Sequence, residues 1–411
     1  MLRAFWRSPS LRAGATMGIG GVCFSFGGLI LARELARQEY ALISLVLGIV
    51  AVAGNTAPLG LDKVVGRRGI RLDARWRSAS FGACLVTAIV AGAVSSLVYH
   101  LTTALMVSVT LITLTLGLAQ AVAAHFQGQR QFGIAVWVLQ LLNVTIAVVA
   151  LITVAARLKT AAAVCDLMSI AGIVAAAAIW WRIRREGDAP APQLSPWNLR
   201  GEALSLATVE AGGSIFIQLE RLVVGPTAGM LELATYGVLA AFVSSPFRLM
   251  QAAVQFTLIP RLREARDARA RRGLVWREGA LVALPLMVGS AAIWLLAPPL
   301  AHWLLAGRYE LSEPLISIML IAGWLKLLNG FLTALIVSRG EERRLGLLSA
   351  ICWGSLGVSI AGAFIAAPWG LFGVLCGITA GWLTRCALAS WLAVDCLKEA
   401  RPYLPVTVEP K

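Results

Sequence analysis

Apolar residues run along this chain in long blocks separated by short polar stretches. Twelve blocks stand out, at about 11–32, 40–61, 78–99, 104–124, 132–155, 161–181, 203–222, 231–258, 279–299, 313–337, 345–366 and 371–395. Each reaches the roughly 20 residues that a helix needs to cross a hydrocarbon core about 30 Å thick. The pattern predicts an all-α, polytopic membrane protein of about twelve transmembrane helices, with short connections and no sizeable soluble domain. The widest gap, RIRREGDAPAPQLSPWNLRGE, holds Pro190, Pro192 and Pro196, with six blocks on either side of it. The expected organisation is an N-terminal six-helix lobe over 1–185, a cytoplasmic linker over 186–202, a C-terminal six-helix lobe over 203–397 and a cytoplasmic tail over 398–411.

The two halves echo one another. Gly20-Gly21 in the first block has a counterpart in Gly212-Gly213 in the seventh, Tyr40 in Tyr236, and Trp76-Arg77 in Trp276-Arg277. Because both halves start on the same side of the membrane, the repeats would be parallel, related by an axis along the membrane normal. Small residues four apart, as in Gly373, Gly377 and Gly381, let helix backbones approach closely in lipid. Trp180, Trp181, Trp294, Trp303 and Trp369 fall near block ends, where an interfacial belt accounts for them.

Composition agrees with this picture. The 411 residues are 58% hydrophobic and 14% charged, against about 25% charged in soluble domains. The net charge of +15 would point to nucleic acid in a soluble protein, but the placement of the basic residues decides otherwise. With the N-terminus inside, the inner segments together with the block ends beside them hold 27 Lys and Arg and the outer ones 6. That asymmetry is the positive-inside rule. It places both termini in the cytoplasm and leaves no role for nucleic acid. The seven cysteines, Cys23, Cys84, Cys165, Cys352, Cys376, Cys386 and Cys396, show no paired spacing and read as free thiols.

Catalytic signatures are missing. The chain has no phosphate-binding P-loop, no H-E-x-x-H and only three scattered histidines, His100, His125 and His302. The outer loops are too short for the catalytic loop that membrane glycosyltransferases and polymerases carry. No enzyme activity, cofactor or metal is expected. What remains is charge inside the membrane, where a central Arg or Lys costs about 2.5–3.5 kcal/mol and therefore faces a partner or a wet cavity. In the eighth block Ser244, Arg248, Gln251 and Gln255 fall on one face, and Pro246 within it is expected to loosen the helix. Lys326, Asn329 and Thr333 form a similar stripe in the tenth block, and Arg385 follows Gly381 by four in the twelfth. The seventh carries Glu210, Ser214 and Arg221 on one side, with the Glu220–Arg221 pair expected at an interface near the block's end. The first half has milder polar groups: Ser44, Asn55, Gln120, Gln140, Asn143 and Asp166.

Two readings follow. In one, Glu210 or Glu220 pairs with Arg248 or Lys326 and the charges brace the bundle. In the other, Arg248, Arg385 and Lys326 line a central cavity and receive phosphate oxygens, to which a guanidinium fork binds in bidentate fashion. Ser244, Gln251, Gln255, Asn329, Asn55, Gln140 and Asn143 would then line the cavity, while Glu210 and Asp166 would pair with cations or hold a coupling cation.

Three segments carry a family resemblance. LARELARQEYALISLVLGIVAVAGNTAPLGLDKVVGRR ends in Gly60-Leu61 before a basic stretch. QLERLVVGPTAGMLELATYGVLAAFVSSPFRLMQAAVQFTLIPRLREA holds Gln218, Glu220, Arg221, Tyr236-Gly237 and Pro260. YELSEPLISIMLIAGWLKLLNGFLTALIVSRGEERRLGLLSA spans the tenth block and the loop after it. In these the chain resembles the polysaccharide-type flippases of the multidrug/oligosaccharidyl-lipid/polysaccharide exporter superfamily. The resemblance implies a two-lobed bundle working by alternating access in the bacterial inner membrane. Its cargo would be a polyprenyl-diphosphate-linked oligosaccharide for polysaccharide or lipopolysaccharide (O-antigen) synthesis. Its partners would be membrane lipids, a coupling cation, and a glycan polymerase or transferase. The chain departs from two relatives: the first block lacks the acid of multidrug antiporters, and the first two lack the arginines of lipid II flippases. The alternatives are a cation-coupled exporter of small amphiphilic molecules and a non-transporting scaffold for glycan assembly.

Overall fold

The structure is a computed structural model that describes residues 9–185, 195–265, 267–339 and 342–398. It contains twelve long helices. The first six are α1 (Pro9–Glu34), α2 (Arg37–Thr56), α3 (Ala74–Tyr99), α4 (Thr103–Gly128), α5 (Phe132–Ala155) and α6 (Ala161–Arg185). The second six are α7 (Arg200–Ala228), α8 (Met230–Glu264), α9 (Ala268–Leu304), α10 (Glu313–Arg339), α11 (Glu342–Ala366) and α12 (Gly370–Lys398). A short helix, Leu61–Arg68, lies between α2 and α3. Most of the expected linker and tail fall outside the described residues, as do the side chains of Arg248 and Gln255.

Among the described residues the chain forms an all-α membrane bundle without strands. Ten helical stretches are long and apolar enough to cross a membrane, the last of which, Arg343–Cys396, contains both α11 and α12. The helix missing from that set is α7, whose apolar run is interrupted by Glu202, Glu210, Glu220 and Arg221. Large apolar side chains such as Leu97, Leu284, Val288 and Ile365 are more than half exposed. Water would not tolerate such a surface, whereas a bilayer is the natural solvent for it.

Two helices exceed their sequence-based limits. The spacing predicts spans over 231–258 and 279–299 with a long basic loop between. Instead α8 runs 35 residues and α9 runs 37. The Arg-rich stretch is helical, capped by Asp267, whose carboxylate accepts from Ala270 N at 2.6 Å. Pro246 does not end α8, which is continuous through it.

The packing order repeats. In the first half α1 lies on α5, α2 on α4 and α4 on α6; in the second α7 lies on α11, α8 on α10 and α10 on α12. The main contacts between the halves are α1 with α8, α2 with α7, and α2 with α8. The Gly-Gly pairs sit at matching seams: Gly20 faces Gln140 of α5, and Gly212 faces Trp353 of α11. The Trp-Arg pairs do not match, since Trp76 is fully buried and Trp276 is 78% exposed.

At the end where α1 turns into α2, the halves are tied together. Arg308 Nη1 donates to Arg33 O at 2.7 Å, and Arg37 Nη2 donates to Thr235 Oγ1 at 3.1 Å. The Arg37 guanidinium also lies 5.2 Å from the Tyr309 ring centroid. At the opposite end the short helix meets α7 through Arg68–Glu202 (2.6 Å) and Lys63–Glu210 (3.6 Å). Gly60 permits this approach: its φ is +78°, and a Cβ there would stand 1.9 Å from Ala203 O.

Candidate functional site

Between the halves lies a cavity of about 250 Å³. It is lined from α1 by Phe24, from α5 by Gln140 and Asn143, from α7 by Gln218 and Arg221, and from α8 by Ser245. Asn143 Nδ2 donates to Gln140 Oε1 at 2.6 Å. Arg221 is the cation of this cavity. Its Nη1 donates to Gln218 Oε1 at 3.4 Å, and its guanidinium stands 5.1 Å from the Phe24 ring centroid. Only 4% of Arg221 is exposed. A seven-residue rise separates it from the end of α7, about 10 Å, so the Glu220–Arg221 pair is buried within the bundle rather than interfacial. Gly48 makes the seam possible, because a Cβ there would lie 2.8 Å from Arg221 Cβ.

Glu220 turns the other way, into the second half. Its Oε1 accepts from Lys326 Nζ of α10, and its Oε2 is buried without a hydrogen-bond partner. Beside this pair, Phe216 of α7 meets Trp382 of α12 edge to face at 4.3 Å between centroids. Lys326 Nζ lies 5.5 Å from the Trp382 ring, and the Arg385 guanidinium lies 5.1 Å from Phe216 and 5.4 Å from Trp382. Arg385 has no carboxylate partner among the described residues, and its Nε is an orphan donor. Asn329 Oδ1 and Thr333 Oγ1 are orphaned nearby on α10. Buried polar atoms of this kind usually find a partner in protein or water. The cluster therefore holds hydrogen-bonding capacity in excess of what packing uses.

The remaining candidates fall at several places. Of the two readings for Lys326, the structure displays the pairing with Glu220. Gln140 and Asn143 line the cavity; Lys326, Asn329 and Arg385 belong to the aromatic cluster behind it. Ser244 and Gln251 are buried on α8, and Gln251 packs on Gly330 of α10. Asn55 Oδ1 accepts from Gln120 Nε2 at 2.7 Å, joining α2 to α4. Asp166 is exposed on α6 and accepts from Ser108 Oγ at 2.8 Å. Glu210 pairs with Lys63 near the membrane boundary, where it is partly exposed. Burial pulls the Lys63 ammonium down, but the Glu210 and Asp62 carboxylates outweigh it and hold Lys63 above its ordinary value.

Gln218 and Ser245 are polar cavity residues that had no place in the sequence-based polar set, and for Gln218 the spacing offered a sign. The signal was present, since Ser214, Gln218 and Arg221 follow one another at helical spacing on one face of α7.

The fold has solved relatives. It is similar to an inward-facing multidrug resistance MATE family transporter of the MOP superfamily, at 13% identity over 92% of this chain and 94% of that chain, with a TM-score of 0.64. It is similar to the lipid II flippase MurJ in an inward closed conformation, at 10% identity over 92% of this chain and 86% of that one, with a TM-score of 0.68. A MOP superfamily transporter from Pyrococcus furiosus matches at 16% identity over 95% and 97% of the two chains, with a TM-score of 0.54. At such identities the likeness is one of fold. Curated proteins provide no match. The family model described as "Polysaccharide biosynthesis protein" matches residues 30–314, from the end of α1 to the start of α10 and so well over half of the chain. With that match the chain belongs to the polysaccharide biosynthesis protein family.

Proposed function

We propose that this protein is a flippase that carries a polyprenyl-diphosphate-linked oligosaccharide from the inner to the outer leaflet of a bacterial inner membrane, by alternating access between two six-helix halves. One observation carries the reading. Glu220, Arg221, Lys326 and Arg385 are all buried on α7, α10 and α12, so among the described residues of these helices one buried carboxylate stands with three buried cations. Bracing accounts for the Glu220–Lys326 pair. It does not account for Arg385, which sits against aromatic rings with no carboxylate partner among the described residues. A buried positive surplus is costly, and a visiting diphosphate offsets it, because phosphate oxygens accept from guanidinium donors. Arg221 is the first phosphate contact in this reading, with Arg385, Lys326 and Arg248 supporting it. Gln140, Asn143 and Gln218 supply neutral hydrogen bonds around it.

The basic excess on the side of the short helix assigns that side to the cytoplasm. The end tied by Arg308 and Arg37 is then the outer gate, closed in this state. The family supports a place beside glycan transferases and polymerases.

The test is reconstitution into proteoliposomes with a fluorescent lipid-linked oligosaccharide, following leaflet exchange. Arg221→Ala should lower the exchange rate at least about tenfold, or about 1.4 kcal/mol, and Arg221→Lys should lower it less. Exchange by Arg221→Ala at the wild-type rate sinks the assignment. Dye efflux that depends on the protein, without exchange of the lipid-linked sugar, replaces the reading with a cation-coupled exporter.

A further inference from the structure

A second concavity lies away from the central cavity. A groove of about 620 Å³ lies on the flank of the first half, between α3 and α6 and floored by α4. This is within the range of about 300–1,000 Å³ typical of ligand pockets. Its floor and walls are mostly apolar, with Leu118 beneath and Phe81, Ile173, Ala177 and Trp180 around. Phe81 and Ile173 are each 43% exposed, so the groove faces outward from the bundle toward lipid. None of its lining residues belongs to the central cavity.

One end of the groove is cationic. Arg77 enters from the first turn of α3 and Arg184 from the last turn of α6, with Ser78 beside them. The three arginines at the end of α6 divide their roles. Arg182 and Arg185 rest over the rings of Phe126 and Trp181, at 5.9 and 3.5 Å, whereas Arg184 lines the groove. Arg184 has no carboxylate partner among the described residues. From Arg184 to Ile173 the helix rises eleven residues, about 16 Å, which is the depth of one leaflet of a core about 30 Å thick.

We infer that this groove is a binding site for an anionic glycerophospholipid of the leaflet on the short-helix side. Arg77, Arg184 and the Ser78 hydroxyl take the phosphate, and the wall of Phe81, Ala177 and Ile173 takes an acyl chain. The match between groove depth and a single leaflet favours a phospholipid over a long polyprenyl tail. Two convergent arginines favour an anionic headgroup over a zwitterionic one.

The experiment reads bound lipid and needs no transport. The full-length protein in nanodiscs of mixed phosphatidylglycerol and phosphatidylcholine is released and its retained lipids are counted by native mass spectrometry. Wild type should retain phosphatidylglycerol with about tenfold preference, equivalent to about 1.4 kcal/mol. Arg77→Gln with Arg184→Gln should abolish the preference, while the paired lysine variants should keep most of it. Arg77 also donates to Leu72 O at 2.9 Å, so Arg184→Gln alone is the safeguard against misfolding and should reduce the preference severalfold. Ala177→Trp should expel the lipid by filling the groove. Unchanged preference in the glutamine variants, or unchanged retention in Ala177→Trp, overturns the inference. So does displacement of phosphatidylglycerol by equimolar polyprenyl phosphate, which would make the groove a cargo-tail site.

Discussion

Removing the Glu220 carboxylate isolates one consequence of charge burial in this bundle. Glu220 and Lys326 are 1% and 4% exposed, and the ion pair ties α7 to α10. Glu220→Ala leaves a buried ammonium without that partner, and breaking a buried pair from one side costs about 3–5 kcal/mol. The Trp382 ring, 5.5 Å from Lys326 Nζ, remains as a cation–π neighbour and returns about 1–2 kcal/mol when desolvated. The expected net loss is therefore about 1–4 kcal/mol. Removing both charges tells a different story. Glu220→Ala with Lys326→Met deletes the desolvation cost as well as the attraction, so the double variant should recover most of the loss. Reversible unfolding in mixed detergent and dodecyl sulfate micelles, followed by circular dichroism, gives the three values for a double-mutant cycle. A Glu220→Ala variant within about 0.5 kcal/mol of wild type, or a double variant no more stable than the single, refutes the reasoning that this pair is a buried charge problem solved locally.

Other outcomes follow from single distances. Gly48→Leu should separate α2 from α7, because even a Cβ would stand 2.8 Å from Arg221 Cβ; overpacking costs about 1–3 kcal/mol, and exchange in proteoliposomes should fall with stability. Gly60→Ala meets both the positive φ of +78° and Ala203 O at 1.9 Å, so a loss of about 1–3 kcal/mol is expected, read in the same unfolding assay. Ser25 Oγ and Ser245 Oγ lie 2.6 Å apart across the halves; Ser25→Cys with Ser245→Cys should form a disulfide under oxidation, stop leaflet exchange, and recover with reductant. Exchange that continues in the fully cross-linked protein would argue against separation of α1 from α8 during transport. The Lys63 ammonium is held above its ordinary value, so what it contributes to stability is complete below its unfolded value near 10.4 and vanishes as pH climbs through the higher folded value. Unfolding measured with Glu210→Gln should therefore run below the wild type by a constant amount from neutrality upward and converge on it in alkali, where Lys63 loses its charge.

Helix number and order were legible because a bilayer imposes a length on apolar segments that needs no tertiary information. Even α7, too polar for a simple hydropathy rule, was visible as an apolar run around Glu210 and Glu220. Helix ends were less legible. The basic stretch after residue 258 reads as loop by its charge, yet charged residues extend a helix readily once it leaves the membrane, and α8 and α9 do so. The short helix Leu61–Arg68 was missed for a related reason: eight residues with mixed charge carry no periodic signal, and its position depends on left-handed backbone at Leu59 and Gly60 before it and at Gly69 after it. Trp76 and Trp276 illustrate the limit of reading repeats. The sequence positions correspond, but one indole is fully buried and the other 78% exposed, since burial is decided by the neighbours that each half acquires.

The site was legible as a set of residue types and not as a geometry. Helical spacing places Glu220 and Arg221 one residue apart, about 100° around the axis, and that angle is decisive here. It sends the acid toward Lys326 and the aromatic cluster, and the base toward Phe24, Gln218 and the cavity. A sequence alone treats adjacent opposite charges as mutually neutralising. In the folded bundle they serve different compartments: Glu220 neutralises a lysine from α10, and Arg221 faces the seam between the halves. Under the proposed function, the charge that an anionic cargo would meet is set by where α10 places its lysine. For that reason Lys326, although it does not line the cavity, is coupled to Arg221 through Glu220. Lys326→Ala should accordingly release Glu220 toward its neighbour and weaken exchange by drawing Arg221 away from cargo, while Lys326→Arg should preserve it. A Lys326→Ala protein that folds and exchanges at the wild-type rate would break that link.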